Sequence, residues 1–140
     1  MEIKKTVDEL IKTYHTTSPE ELSERLNICL MDAELPESTR GFCLMISSGT
    51  AIVLNSTLTK RERTSVVAHE LGHAILHKGC NYVFMTTKTC MVAGRFEREA
   101  DLFAAYLLTA SNPPQEGSTL QGMSAALSLP ESAIEAAISI

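Results

Sequence analysis

The chain predicts an α+β fold, with helices packed on a short, mostly antiparallel, three-stranded sheet. Three observations carry this. Apolar residues recur at helical spacing in separate stretches, notably 3–15, 60–77 and 95–110. Three short apolar runs, 28–34, 42–47 and 50–55, lie together between the second and third helices. A length of 140 residues with 44% hydrophobic and 21% charged residues fits one globular domain that needs no staples.

Composition excludes several classes. The net charge of -5 argues against direct nucleic-acid binding. No apolar run approaches the ~18 residues of a membrane span, and no secretory core follows Met1-Glu2-Ile3-Lys4-Lys5. Cys29, Cys43, Cys80 and Cys90 form no C-x-x-C pair, so they read as reduced thiols of a cytoplasmic protein.

The elements follow in order. Ile3, Val7, Leu10, Ile11 and Tyr14 form the apolar stripe of a first helix. In Ser18-Pro19-Glu20-Glu21, Ser18 suits the N-cap, Pro19 the first helical position and Glu21 the reciprocal capping-box position of a helix reaching about Asn27. Pro36 and Gly41 mark a loop between the first two strands, and Ser48-Gly49 turns the chain between the last two. Thr59-Lys60-Arg61-Glu62 is a second capping box, opening a helix over 60–77 that Lys78-Gly79 closes. Residues 80–94 lack a helical period and suggest a strand around Tyr82–Met85 and a loop near the site. A helix then runs from Arg95 to Ala110, stopped by Asn112-Pro113-Pro114, and two short helical patterns, 118–128 and 131–138, flank Pro130. Residues 1–112 form the main domain, and 113–140 a helical tail packed on it.

The richest chemistry lies in His69-Glu70-Leu71-Gly72-His73, an H-E-x-x-H motif. Positions i and i+4 share a helix face, so His69 and His73 can close on one ion. Glu70, about 100° round the helix, is free to act as a base at an open coordination position. The bland alternative is a surface helix with two chance histidines. Against it, Val66, Val67, Leu71, Ala74 and Ile75 give this helix a core-facing stripe, and Gly72 leaves room for a close neighbour.

A peptidase-type site needs a third protein ligand and a vacant position. His77 lies eight residues from His69, roughly 12 Å along the axis, too far for one ion, so it reads as a packing or hydrogen-bonding histidine. The downstream helix offers Glu97 as ligand, with Asp101 as acceptor for a ligand histidine; Glu99 is the alternative ligand. The plain alternative is that all three acids line a solvated helix edge. Tyr82, Tyr106 and His77 are candidate oxyanion donors.

Three segments carry a family resemblance: Ile52-Val53-Leu54-Asn55-Ser56, the stretch R-T-S-V-V-A-H-E-L-G-H-A-I-L-H from Arg63 to His77, and E-R-E-A-D-L-F-A-A-Y-L-L from Glu97 to Leu108. With a looser match at 18–30, the chain resembles the ImmA/IrrE family of bacterial and phage metallopeptidases over most of 18–109. The resemblance implies a zincin-like fold for 1–112 and a Zn²⁺ site of His69, His73 and Glu97, with Glu70 as the catalytic glutamate. It also implies a helix-turn-helix transcriptional repressor as substrate, whose cleavage derepresses stress or mobile-element genes. The chain departs from the family pattern after Leu107-Leu108, where Thr109-Ala110-Ser111-Asn112 replaces the expected Met-Pro, and its tail is not distinctive.

The expected reaction is hydrolysis by water activated at the metal, with Glu70 taking the water's proton and passing it to the leaving amine. Mn²⁺ is an alternative ion, because histidine and carboxylate suit several metals. Residues 50–55 offer an extended peptide a sheet edge, unless that strand is interior. The competing function is a non-enzymatic, metal-stabilised protein-binding module with Cys80 or Cys90 as fourth ligand. A DNA reader built on 118–138 is disfavoured, because no Lys or Arg follows Arg98.

Overall fold

The structure of the chain is a computed structural model that describes residues 2–78 and 90–139, with side chains from 94 onward in the second stretch. These residues form α1 (Ile3–Tyr14), α2 (Pro19–Arg25), β1 (Ile28–Ala33), β2 (Gly41–Ile46), β3 (Gly49–Asn55), α3 (Lys60–Leu76), α4 (Cys90–Ser111), α5 (Leu120–Leu127) and α6 (Glu131–Ile138). The α+β class holds. Gly79 and the strand expected around Tyr82–Met85 lie outside the described residues. Among the described residues, no helix is long and apolar enough to cross a membrane.

The helix starts follow local chemistry. Ser18 accepts the Glu21 N–H at 3.2 Å. Its own N–H donates to Thr16 Oγ1 at 3.1 Å, where the sequence suggests the Glu21 carboxylate. At Thr59 both arms of the capping box form, Glu62 N–H to Thr59 Oγ1 at 3.2 Å and Thr59 N–H to Glu62 Oε1 at 2.9 Å. Such a cap stabilises by about 1 kcal/mol. Helix α4 begins at Cys90, five residues before the expected Arg95, because its first turn has no amphipathic pattern to betray it.

The sheet order is β1-β3-β2. β2 pairs antiparallel with β3 (Cys43 opposite Ile52), whereas β1 pairs parallel with it (Leu30 opposite Ile52). The sheet is therefore mixed rather than mostly antiparallel. A two-residue turn at Ser47-Ser48 forces the hairpin antiparallel, and the 34–40 loop carries β2 past the slot that β3 then fills. The turn comes one residue earlier than expected. Gly49 instead opens β3 at φ +153°, a backbone state that favours glycine. Because β3 is central, it is no edge for a peptide; the edges are β1 and β2.

Ile52 and Leu54 of β3 point into the core with Val67 and Leu71 of α3 and Phe103 and Leu107 of α4, all fully buried. Each such side chain stabilises by about 1.5–3 kcal/mol. Helix α3 thus touches the sheet on one side and α4 on the other. Gly72 makes the second contact close: a Cβ there would lie 3.2 Å from the Ala100 Cα and 3.1 Å from the Phe103 Cβ. Leu129, Ala133 and Ile134 join the same core, and α6 packs on α4.

Candidate metal centre

Two ladders face each other across the α3–α4 contact. His69, His73 and His77 rise along α3 at four-residue spacing. Neighbouring ring centroids are 4.9 and 5.0 Å apart. Each ring meets a carboxylate from α4. Glu97 reaches His73 Nε2 at 2.8 Å and His69 Nε2 at 3.4 Å. Asp101 sits 2.8 Å from His69 Nδ1, and Glu99 sits 2.9 Å from His77 Nε2. His73 and His77 join through their Nδ1 atoms at 2.9 Å. One ligand atom from each of His69, His73 and Glu97 falls within 4.8 Å of the others, so these three gather around one point.

Proton counting tests whether a metal fits. Among the described residues the contacts His69–Asp101, His69–Glu97, His73–Glu97, His73–His77 and His77–Glu99 are five, each needing one proton between its partners. Three neutral imidazoles carry three. These five described contacts call for two protons more than the three rings supply, and both places can be put at the Nε2 atoms facing Glu97. A divalent cation there replaces two protons and leaves one for every remaining contact. The donor set, two imidazoles and a carboxylate, suits zinc.

Charge favours the same answer. Burial opposes a charged His69, yet hydrogen bonds to Asp101 and Glu97, with Glu70 nearby, push it up to about 10. Burial holds His73 below the ordinary imidazole range against the pull of Glu97, and a charged His69 beside it adds to this. Burial opposes ionisation of Glu97, but hydrogen bonds from both histidines bring it down to about 2. The cluster thus keeps its carboxylate ionised and attracts positive charge.

Glu70 stands apart from the ladder. Its side chain is buried and accepts a hydrogen bond from the Cys43 backbone of β2, but Oε1 has no partner among the described residues. Burial first, then the charges of Glu97 and Asp101, raise it to about 7 even with His69 opposing. A buried carboxylate oxygen with no partner among the described residues, beside groups that could hold a metal, is suited to handling a proton. Glu70, His69 and Glu97 share a cleft of about 360 Å³ with Arg40, Gly41 and the Ser128–Pro130 corner.

The rest of the fold holds this cleft open. Asn55 Nδ2 donates toward the carbonyls of Leu35, Pro36 and Thr39, and its Oδ1 accepts from Thr57, which fixes the loop leading to Arg40 and Gly41. Ser65 Oγ donates to the Ser128 carbonyl at 3.0 Å, which pins the α5–α6 corner as the opposite wall.

His69, His73, Glu70 and Glu97 therefore lie together in the structure, and Asp101 meets His69. Glu99 is turned to His77 and away from the cluster. His77 is 3% exposed and stacked on Phe96 at 3.9 Å, so it has no reach into the cleft as an oxyanion donor. Tyr106 packs against the core. The candidates Tyr82 and Cys80, and the Cys90 side chain, lie outside the described residues. Sequence reasoning missed Arg40, the Cys43 N–H and the Ser128–Pro130 corner. Pro130 between two helical patterns was the one available hint of the last.

Comparison with known proteins shows what the chain is similar to. Residues 23–116 match the family model of the IrrE N-terminal-like domain. The uncharacterized immunity region protein 2 of Bacillus phage phi105 is 42% identical over 106 residues, covering 76% of this chain and 67% of that protein. Metallopeptidase ImmA of Bacillus subtilis (strain 168) is 26% identical over 106 residues, covering 76% of this chain and 62% of that protein. The chain thus spans about two-thirds of the length of these relatives. No solved structure matches the chain significantly.

Proposed function

The chain belongs to the IrrE N-terminal-like family of ImmA/IrrE-type metallopeptidases, and we propose that it is a zinc-dependent endopeptidase acting in the cytoplasm on a helix-turn-helix transcriptional repressor. The observation that carries this reading is the convergence of His69, His73 and Glu97 beside Glu70, whose buried Oε1 has no partner among the described residues.

In this reading His69, His73 and Glu97 hold the ion, which when bound acidifies water and polarises a carbonyl. Glu70 takes the proton of the attacking water and delivers it to the leaving amine. The Cys43 N–H keeps the Glu70 carboxylate aimed into the cleft. Asp101 fixes the His69 ring. The outer edge of β2 and the Ser128–Pro130 corner bound the space for an extended peptide. Cleaving the repressor derepresses the stress or mobile-element genes it controls. The name of the phage relative, an immunity region protein, supports a role in such a switch.

The test combines the chain with zinc and a small helix-turn-helix repressor encoded beside it. Cleavage is expected with the metal and not with a chelator. Glu70→Gln is expected to retain zinc while cleavage falls on the order of 10²–10⁴-fold. Unchanged regulatory output from Glu70→Gln in cells favours the non-enzymatic module instead.

A further inference from the structure

His77 is not placed to bind the ion, yet it is tied to the centre more firmly than a surface histidine needs. The ring is 3% exposed, stacked on Phe96 with 16° between planes, and bonded at both nitrogens. We propose that His77 is a positioning residue: its Nδ1 accepts the His73 Nδ1–H, its Nε2–H donates to Glu99, and His73 is thereby held with its Nε2 lone pair facing the metal. This inference rests on the metal-centre reading above.

The proton count makes the arrangement specific. With the ion on His73 Nε2, the single proton of that ring must lie on Nδ1. A lone pair is then required opposite it, and His77 supplies one only as its Nε2–H tautomer. Glu99 selects that tautomer, because a carboxylate oxygen 2.9 Å from Nε2 accepts and does not donate. Arg95 Nε lies 3.5 Å from the other Glu99 oxygen and steadies it from outside. The two ligand histidines are thus held differently. His69 faces the anion of Asp101, whereas fully buried His73 faces a neutral ring. A second carboxylate placed directly against His73 would add negative charge to the dry α3–α4 contact; an imidazole supplies the acceptor without it.

The experiment measures zinc affinity by competition with a chromogenic chelator. His77→Phe keeps the stack on Phe96 and removes the acceptor. His77→Asn restores an acceptor near the Nδ1 position. Affinity is expected to fall on the order of 10–100-fold in His77→Phe and to recover most of that loss in His77→Asn. A second measurement uses the unaltered chain loaded with zinc and ¹⁵N-labelled at histidine, so it does not depend on the variants folding. It should show His73 protonated at Nδ1 and His77 at Nε2. If the unaltered chain binds zinc and His77→Phe binds it equally well, or if His77 carries its proton at Nδ1, the inference is overturned and the metal centre stands. If the unaltered chain does not bind zinc, both fall together.

Discussion

Asp101 Oδ1 lies 2.8 Å from His69 Nδ1, on the side of the ring away from the point where His69, His73 and Glu97 converge. A carboxylate there orients the imidazole and raises its basicity as a ligand. Asp101→Ala is expected to lower zinc affinity on the order of 10–100-fold. Asp101→Asn, which still offers an oxygen to Nδ1–H, should lose less. Competition titration checks both, and equal losses in the two variants would leave the charge of Asp101, and not its hydrogen bond, as the cause.

Glu70 gives a pH signature independent of any substrate. Its folded pKa of about 7 exceeds the ordinary 4.5, so between those values the folded chain holds a proton that the unfolded chain has released. Stability from this group is present at low pH and is lost as pH rises through that window. With chelator present, Glu70→Gln should therefore gain stability relative to the unaltered chain between pH 5 and pH 8, by about 3 kcal/mol at most. Urea unfolding at the two pH values measures it. Parallel pH profiles for the two chains would mean that Glu70 is ionised and accommodated throughout.

Local signals were legible where one stretch of chain decides the outcome. Thr59 and Glu62 announce their own helix, and His69 and His73 share a face by spacing alone. What depends on two distant stretches was less so. The central place of β3 follows from pairing with both β1 and β2, and no residue in 49–55 encodes that order. The three acids of α4 sit at positions i, i+2 and i+4, which do not share one face, so the sequence left Glu97 and Glu99 as rivals. Only the crossing of α3 and α4 assigns each its own histidine. The hydrogen bond from Cys43 to Glu70 uses a backbone N–H, which every residue but proline has, so nothing in the sequence marks it.

Asn55 should be unforgiving of its nearest relative. Its Nδ2 donates toward three carbonyls at 2.9–3.3 Å while the side chain is 4% exposed. Asn55→Asp keeps the shape but replaces the donor with a fourth acceptor facing the three carbonyls. A loss of about 2–4 kcal/mol is expected, larger at pH 8 than at pH 4 because the neutral acid can still donate one hydrogen bond. Thermal unfolding across that range tests it. A variant as stable as the parent at pH 8 would show that the loop over residues 35–39 does not need this anchor.

Gly72 links the fold to the chemistry. Replacing glycine by alanine inside an exposed helix gains about 1 kcal/mol in helix propensity. Here the new methyl would stand 3.1 Å from the Phe103 Cβ and 3.2 Å from the Ala100 Cα, atoms close to or within the α4 backbone that cannot swing aside. Overpacking of this kind costs about 1–3 kcal/mol, so the net effect on stability is small and unfavourable, about 0–2 kcal/mol. Metal binding should feel the same change. Relief requires α3 and α4 to separate by a few tenths of an ångström, and every contact between the histidine and acid ladders spans that gap. Gly72→Ala is therefore expected to remain folded while its zinc affinity falls several-fold, on the order of 1 kcal/mol. Denaturation with chelator and competition titration with zinc separate the two quantities. Parental affinity in a measurably destabilised variant would show that the ladders tolerate the shift and that close helix approach serves packing alone.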